Sequence, residues 1–384
     1  MTRLTFVTWD GGGNLPPAVG IAQELVARGN EVRFLGYLSQ RDAIESRGFE
    51  FSALPRSGHF DPFSGYAPEE RLPALIRNVW ACPEHLEDVP DALAANPADL
   101  LVIDFLMQGA LAQARRTDIP VAVLAHSVVA GLVPPPESPM GAARLVAANG
   151  FRATIGLTRM ERLNDGWDGL PTIVTTIREL DPAADGAPRT VHYVGPVTER
   201  TAHSTWESPW APDDPRPLVL VSFSTTRLWD PSGRIRNTVA ALAGEPVRVL
   251  LIASGNSMPA DLPENATVRP FVPHAAVMPL VSATVTHCGH GTVTASLAHG
   301  VPIAGLPYPA ADQPFLAARI QALGAGVALD GESSRALIRS AVRDLLDRPS
   351  FREAAAHLGR TIRAAPGAAG AADVLEDLAR RREH

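Results

Sequence analysis

A strand, a glycine-bearing turn, a helix and a second strand follow one another twice in this chain, once on each side of a proline-rich break. Leu4–Thr8 is a short apolar run that reads as a strand, and Asp10–Asn14 is a loop. Pro17–Arg28 reads as a helix: proline suits its start, Ala18, Ala22, Leu25 and Val26 recur at helical spacing, and Gly29 is a natural stop. Val32–Leu35 reads as the next strand. A helix between two strands this close in sequence implies a parallel pair, since a tight turn gives only antiparallel neighbours. Leu100–Ile103 ending at Asp104, a helix over Gln108–Arg116, Pro120–Leu124, and the shorter Thr172–Thr175 and Val191–Val194 continue the pattern. Thr198–Pro217 then carries four prolines and few aliphatics, which reads as a linker. After it come Leu218–Phe223, Val247–Ile252, Val268–Phe271, Ala283–Thr286 and Pro302–Gly305 as strands. The expected fold class is therefore α/β, with a first domain over 1–203, a linker over 204–216 and a second domain over 217–364. A tail over 365–384, helical near Ala371–Arg382, is expected to pack back toward the first domain. Ligands of such sheets sit beyond the carboxyl ends of the strands, and with two halves the cleft between them is the default site.

Composition narrows the function. The 384 residues are 46% hydrophobic, enough for two cores. The formal net charge is −7 with no basic block, so nucleic acid is not an expected partner. No apolar run reaches the length of a membrane span and no leader pattern opens the chain, so the reading is cytoplasmic. All 34 long basic side chains are arginine. The lack of lysine removes Schiff-base chemistry and the lysine of a phosphate-binding loop. Cys82 and Cys288 are far apart without ligand spacing and read as free thiols, and no metal site is expected from the histidines either.

The segment His287-Cys288-Gly289-His290-Gly291-Thr292 directly follows a strand and leads into a helix expected to start near Thr292. Unpaired amides and the positive end of a helix suit a diphosphate. Gly289 and Gly291 would admit close backbone approach, Thr292 would cap the helix or donate to phosphate, and His287 would donate an N–H. Farther on, Asp312-Gln313 pairs two side chains able to grip vicinal hydroxyls.

Val272-Pro273-His274, the His287–Thr292 run, Gly300-Val301-Pro302, Asp312-Gln313 and Gly324-Ala325-Gly326 together resemble the donor-binding signature of the family-one glycosyltransferases, most of all their bacterial macrolide-type branch. Val221-Ser222-Phe223-Ser224-Thr225 and Val194-Gly195-Pro196 add to the likeness. The resemblance implies the GT-B architecture, two Rossmann-like domains facing across a cleft. It implies that the Val272 backbone meets a pyrimidine, that Ser224, Thr225, His287, Gly289, Gly291 and Thr292 hold the diphosphate, and that Asp312 and Gln313 hold the sugar. The donor would be a UDP- or dTDP-sugar, with Asp312-Gln313 favouring an ordinary hexose. Transfer would invert the anomeric centre without a metal, and no cofactor beyond the nucleotide sugar is expected. The acceptor, a small hydrophobic natural product, would lie against Asp104 and the Asp10–Asn14 loop with its Gly12 and Gly13. The segments Phe60–Trp80 and Ser127–Arg144, the second read as a loop, would shape its pocket.

One departure stands out. The family usually places a proton-accepting His where this chain has Asn14, oriented by an acid that matches Asp104. An amide is no general base. Asp10 or Asp104 would then act as base, or the acceptor would be acidic enough to need little help, or the chain would be a catalytically silent homologue binding a ligand or a partner. His126, just past a strand end, is a candidate for acceptor contact or base duty. Ala295 and Leu316 replace a Glu and an Asn common in the family. A dinucleotide site is disfavoured, because Pro16 stands where the third glycine after Gly11 and Gly13 would be.

Overall fold

The structure is a computed structural model that describes residues 1–61, 66–200, 206–223, 230–253, 261–309 and 312–381. The chain divides into two compact units, Met1–Arg200 with Pro366–His384, and Thr201–Ala365.

The first unit is built on β1 (Arg3–Val7), β2 (Glu31–Gly36), β3 (Glu50–Ala53), β4 (Leu100–Asp104), β5 (Val121–Ala125), β6 (Thr172–Val174) and β7 (Val191–Tyr193). Their order is β3-β2-β1-β4-β5-β6-β7, and every pairing is parallel. β4 and β5 are buried at every residue, as strands covered on both faces must be. Helix Leu15–Ala27 joins β1 to β2 and buries Ala18, Val19, Ile21, Ala22 and Leu25 against the sheet.

The second unit carries β8 (Leu218–Ser222), β9 (Arg248–Ile252), β10 (Ala266–Arg269), β11 (Val281–Thr286), β12 (Ile303–Gly305) and β13 (Gly326–Ala328), in the order β10-β9-β8-β11-β12-β13 and again all parallel. Val219, Val221, Val249, Leu251 and Val285 face one core, while Leu218, Leu220, Leu250 and Ile252 face another. The two sets alternate along each strand because successive side chains leave opposite faces. The structure thus has the two Rossmann-like parallel sheets expected of the fold class.

Several elements differ from the sequence expectation. Ser127–Arg144 is not one loop: it contains the short helix Val129–Leu132 and the start of helix Pro139–Thr154, whose N-cap Ser138 Oγ accepts from Gly141 N–H at 3.1 Å. Glu50–Ala53 adds an edge strand that its polar sequence does not announce. Within Phe60–Trp80, helix Pro68–Leu75 runs into a wider helical turn over Ile76–Trp80.

The carboxyl-terminal helix, Gly367–Arg380, belongs to the first unit. Its Ala371, Ala372 and Leu375 lie in the same core cluster as Val19 and Ile21. Gly367 N–H donates to Val194 O at 2.7 Å, Arg28 pairs with Asp373 at 2.6 Å, and Asn30 Nδ2 donates to Glu376 Oε1 at 2.8 Å. The ion pair is surface-exposed and contributes little; the buried leucine carries the docking. Leu375→Ala is expected to lower the stability of the first unit by about 2–5 kcal/mol. Urea unfolding followed by tryptophan fluorescence checks this, and a loss below about 1 kcal/mol would place the helix outside the core.

Candidate active site

The strand order changes direction between β1 and β4, and the carboxyl ends at such a switch point open a crevice in parallel sheets. β1 there delivers Trp9, Asp10 and the glycine loop, β4 delivers Asp104, and β5 delivers His126. Asp104 is buried and accepts from three N–H donors. Leu106 N–H reaches Oδ1 at 3.0 Å, His126 Nδ1 reaches Oδ2 at 2.9 Å, and Asn14 Nδ2 reaches Oδ2 at 3.4 Å. A carboxylate only accepts, so the proton of the His126 ring sits on Nδ1. Nε2 is left without a hydrogen-bond partner among the described residues, and the side chain keeps 11% exposure. Phe105 meets the ring edge-on with centroids 5.3 Å apart.

Asn14 is 1% exposed, and its amide is fully engaged as a donor. Nδ2 also donates to Trp9 O at 2.7 Å, and Oδ1 accepts from Gly11 N–H at 2.9 Å. The residue therefore ties the glycine loop to the first turn of the helix Leu15–Ala27. Gly12 has φ of 76°, a left-handed conformation that a side chain would strain. Gly12 and Gly13 are exposed. Asp10 is partly buried; burial raises its pKa above the usual carboxylate value, partly opposed by the Gly12 N–H that reaches Oδ1 at 3.3 Å.

Two groups here had no distinctive signal in the sequence. Arg144, 2% exposed, lies in helix Pro139–Thr154 with its guanidinium 5.0 Å from the centre of the Trp80 ring. Nη1 donates to Leu132 O at 2.9 Å, while Nε and Nη2 have no hydrogen-bond partner among the described residues. Burial lowers its pKa to about 10, and the charge of Asp104 works in the opposite direction. Trp9 packs edge-on against Trp80 at 5.8 Å. Only the fold turns Arg144 inward; on a helix its sequence looks like a solvated basic position.

In the second unit the order reverses between β8 and β11. Ser224 and Thr225, which follow β8, lie outside the described residues. Beyond β11 the helix begins at His290 with Gly289 as its N-cap, earlier than the start expected near Thr292. Thr292 therefore does not cap the helix. Gly291 and Thr292 lie in the first turn, and the first helical bond runs from Val293 N–H to Gly289 O at 3.1 Å. Their amides precede that bond and point out of the helix end. Gly289 is required by its neighbour, since a Cβ there would come within 2.5 Å of His287 Nε2. No atom crowds Gly291 in the same way. Cys288 takes φ of 64° with its thiol fully buried, and both cysteines are free.

His287 is 8% exposed, and burial lowers its pKa to about 4; the Ser222 backbone pulls the other way and the charge of Arg234 adds to the lowering. The ring is neutral at pH 7. Asp312 is the N-cap of helix Gln313–Ala322 and is partly exposed. Gln313 is buried, and its Oε1 accepts from Tyr308 N–H at 3.0 Å, so its amide nitrogen is the end left for a ligand. Arg234, unremarked in the sequence, stacks 3.9 Å from the Tyr308 ring centre, with Nε unpartnered among the described residues. The Val272 side chain is core, which leaves its backbone for contact, and the adjacent Phe271 is 71% exposed. A cavity of about 590 Å³ lined by Pro217, Val247, Ser282 and Arg343 lies at the amino ends of these strands, the wrong end for a ligand of this fold. No cluster of three or more metal-ligating side chains exists among the described residues, and no described helix is long and apolar enough to cross a membrane.

The lowered pKa of His287 is also a stability statement. The folded ring resists protonation while the unfolded ring titrates near 6.5, so the unfolded state binds more protons between about pH 6.5 and pH 4. Stability is full above that window and falls through it on acidification, by up to about 1.4 kcal/mol per pH unit. Denaturant unfolding at pH 7 and pH 5 is expected to show that loss, and His287→Gln to reduce it. An unchanged slope in the variant would place the proton uptake elsewhere.

Residues 234–378 match the model of the family described as "Erythromycin biosynthesis protein CIII-like, C-terminal domain". The chain is 30% identical to 4'-demethylrebeccamycin synthase of Lentzea aerocolonigenes over 98% of its own length and 99% of that protein. It is 29% identical to demethyllactenocin mycarosyltransferase of Streptomyces fradiae, over 98% of this chain and 87% of that one. Among solved structures, the glycosyltransferase of kitacinnamycin superposes with a TM-score of 0.80 over 98% of both chains at 24% identity, a likeness of fold. With a near-full-length relative at this identity, and with strand ends and a helix terminus arranged as described, the chain belongs to the family-one glycosyltransferases, in their antibiotic branch, and is an enzyme of that class.

Proposed function

We propose that this enzyme moves a hexose or deoxyhexose from a UDP- or dTDP-sugar to a hydroxyl of a small hydrophobic natural product, inverting the anomeric centre without a metal. The observation that carries the donor half is the helix end beyond β11: the Gly291 and Thr292 amides open beside the buried, neutral His287 at the switch point of the second sheet. Fixed N–H dipoles stabilise charge that grows on a departing diphosphate and need no reorganisation as it leaves. Gly289, Ser224 and Thr225 complete the diphosphate contacts in this reading. The Val272 backbone addresses the pyrimidine edge, and exposed Phe271 offers a face for it to stack on. Asp312 and the free amide end of Gln313 hold sugar hydroxyls. The acceptor belongs to the first unit, against Gly12, Gly13 and the group of buried polar residues around Asp104. Names of the relatives support a natural-product acceptor, a demethylrebeccamycin synthase and a mycarosyltransferase of demethyllactenocin among them. No observation favours the catalytically silent reading.

Calorimetry with UDP, dTDP and NAD tests the donor site. One pyrimidine diphosphate is expected to bind near micromolar strength, about −8 kcal/mol, and NAD not at all. His287→Ala is expected to weaken binding by about 1.5–3 kcal/mol, the range for a hydrogen bond to a charged group. Phe271→Ala should cost about 1–3 kcal/mol if the base stacks there. Failure of both pyrimidine nucleotides to bind would overturn the donor assignment. A chelator such as EDTA is expected to leave turnover unchanged, and loss of turnover restored by added Mg²⁺ would overturn metal independence.

A further inference from the structure

The acceptor hydroxyl must lose a proton as it attacks, and three of the four side chains gathered around the carboxyl ends of β1, β4 and β5 are unable to take it. Asn14 is an amide, buried, and committed to Trp9, Gly11 and Asp104. Asp104 is 3% exposed, its Oδ2 accepts from both His126 and Asn14 and its Oδ1 from Leu106 N–H, so the carboxylate is buried beneath its own donors and closed to a hydroxyl. Arg144 is a cation without acceptor capacity. His126 differs from all of them. Its Nδ1–H is held by Asp104 at 2.9 Å, its Nε2 carries the bare lone pair, and that nitrogen meets no protein partner among the described residues.

We infer that His126 is the general base, positioned by Asp104, and that this chain supplies from the end of β5 the imidazole it lacks at position 14. The inference rests on the transferase reading above. In the step, the acceptor oxygen forms a bond to the anomeric carbon while its proton passes to Nε2 of His126. The bond from that carbon to the diphosphate oxygen breaks, and the electron pair leaves with the nucleoside diphosphate. The imidazolium that forms lies against the Asp104 carboxylate, so the new charge is compensated where it appears. The buried guanidinium of Arg144 interacts with the same carboxylate and adds a second positive group to its surroundings. Asn14 then plays a different part, securing the glycine loop and leaving one carboxylate oxygen to be shared with His126. Asp10 lies on the same loop and is partly buried, its Oδ1 accepts from Gly12 N–H, and no hydrogen bond joins it to Asp104 or His126 among the described residues, so it stands outside the Asp104–His126 pair.

Two measurements decide the matter. The first needs no acceptor: long-range ¹H–¹⁵N spectra of the histidine rings at pH 8, with His126 assigned by its absence in His126→Gln. The expected result is protonated Nδ1 and bare Nε2, with the preference lost in Asp104→Asn. Protonated Nε2 in the wild type overturns the proposal. The second uses UDP-glucose and dTDP-glucose with phenols graded in acidity, from 4-nitrophenol through 4-methylumbelliferone to 4-cresol. For a true base the penalty grows as the acceptor becomes less acidic. His126→Ala and His126→Gln should therefore lose about 10²–10⁴-fold in kcat with 4-cresol and less than tenfold with 4-nitrophenol, with the KM for donor unchanged. Asn14→His in the His126→Ala background should restore part of the lost rate by placing an imidazole on the other side of Asp104. An equal loss with every phenol shows a purely structural role for His126 and overturns the assignment, as does no loss at all. Failure of the wild type to bind either nucleotide diphosphate, by contrast, strikes the donor reading and leaves the tautomer result standing on its own.

Discussion

Every strand pairing in both sheets is parallel, and the rest of the molecule follows from that constraint. Parallel strands need crossovers, crossovers here are helices, and helices on both faces bury the strands on both sides. Side chains within such strands are spent on packing. The positions free for chemistry are the residues at and just past the strand ends, and they converge where the strand order reverses. Trp9, Asp104 and His126 on one sheet, and Phe223 and His287 on the other, occupy those positions.

Burial then decides which polar groups are tolerated. Asp104 survives at 3% exposure because three N–H donors and a nearby guanidinium offset the loss of water. Removing one donor would leave charge without compensation, which is more costly than the bond itself. This makes the Asp104 network both a structural tie between β1, β4 and β5 and a means of holding an imidazole in one tautomer. The second unit uses the opposite device. His287 is buried without a carboxylate, so it is neutral, and in the proposed donor site the loop would act through backbone amides rather than through side-chain charge. Backbone amides are held by the helix itself, which is how the proposed donor site would meet a diphosphate in a chain without a single lysine.

The two-sheet architecture and the addresses of the strand ends are legible in the local sequence. Apolar runs, glycine stops and the proline-rich break locate the central strands to within a residue or two, because strands buried on both faces are unbroken apolar runs and the crossover helices between them repeat apolar residues at helical spacing. The glycine loop after β11 was legible for the same reason, although its helix starts at His290 and not Thr292, since a residue's capping propensity is weaker than the steric fit of Gly289 beneath the His287 ring. Tertiary structure decided what the sequence left open. Which group Asp104 touches is a matter of three strands lying side by side, with contacts 90 and 22 residues apart in the chain, and no local pattern encodes them. The inward turn of Arg144, the docking of Leu375 on the first unit and the bare Nε2 of His126 are decided in the same way, by packing between elements distant in sequence.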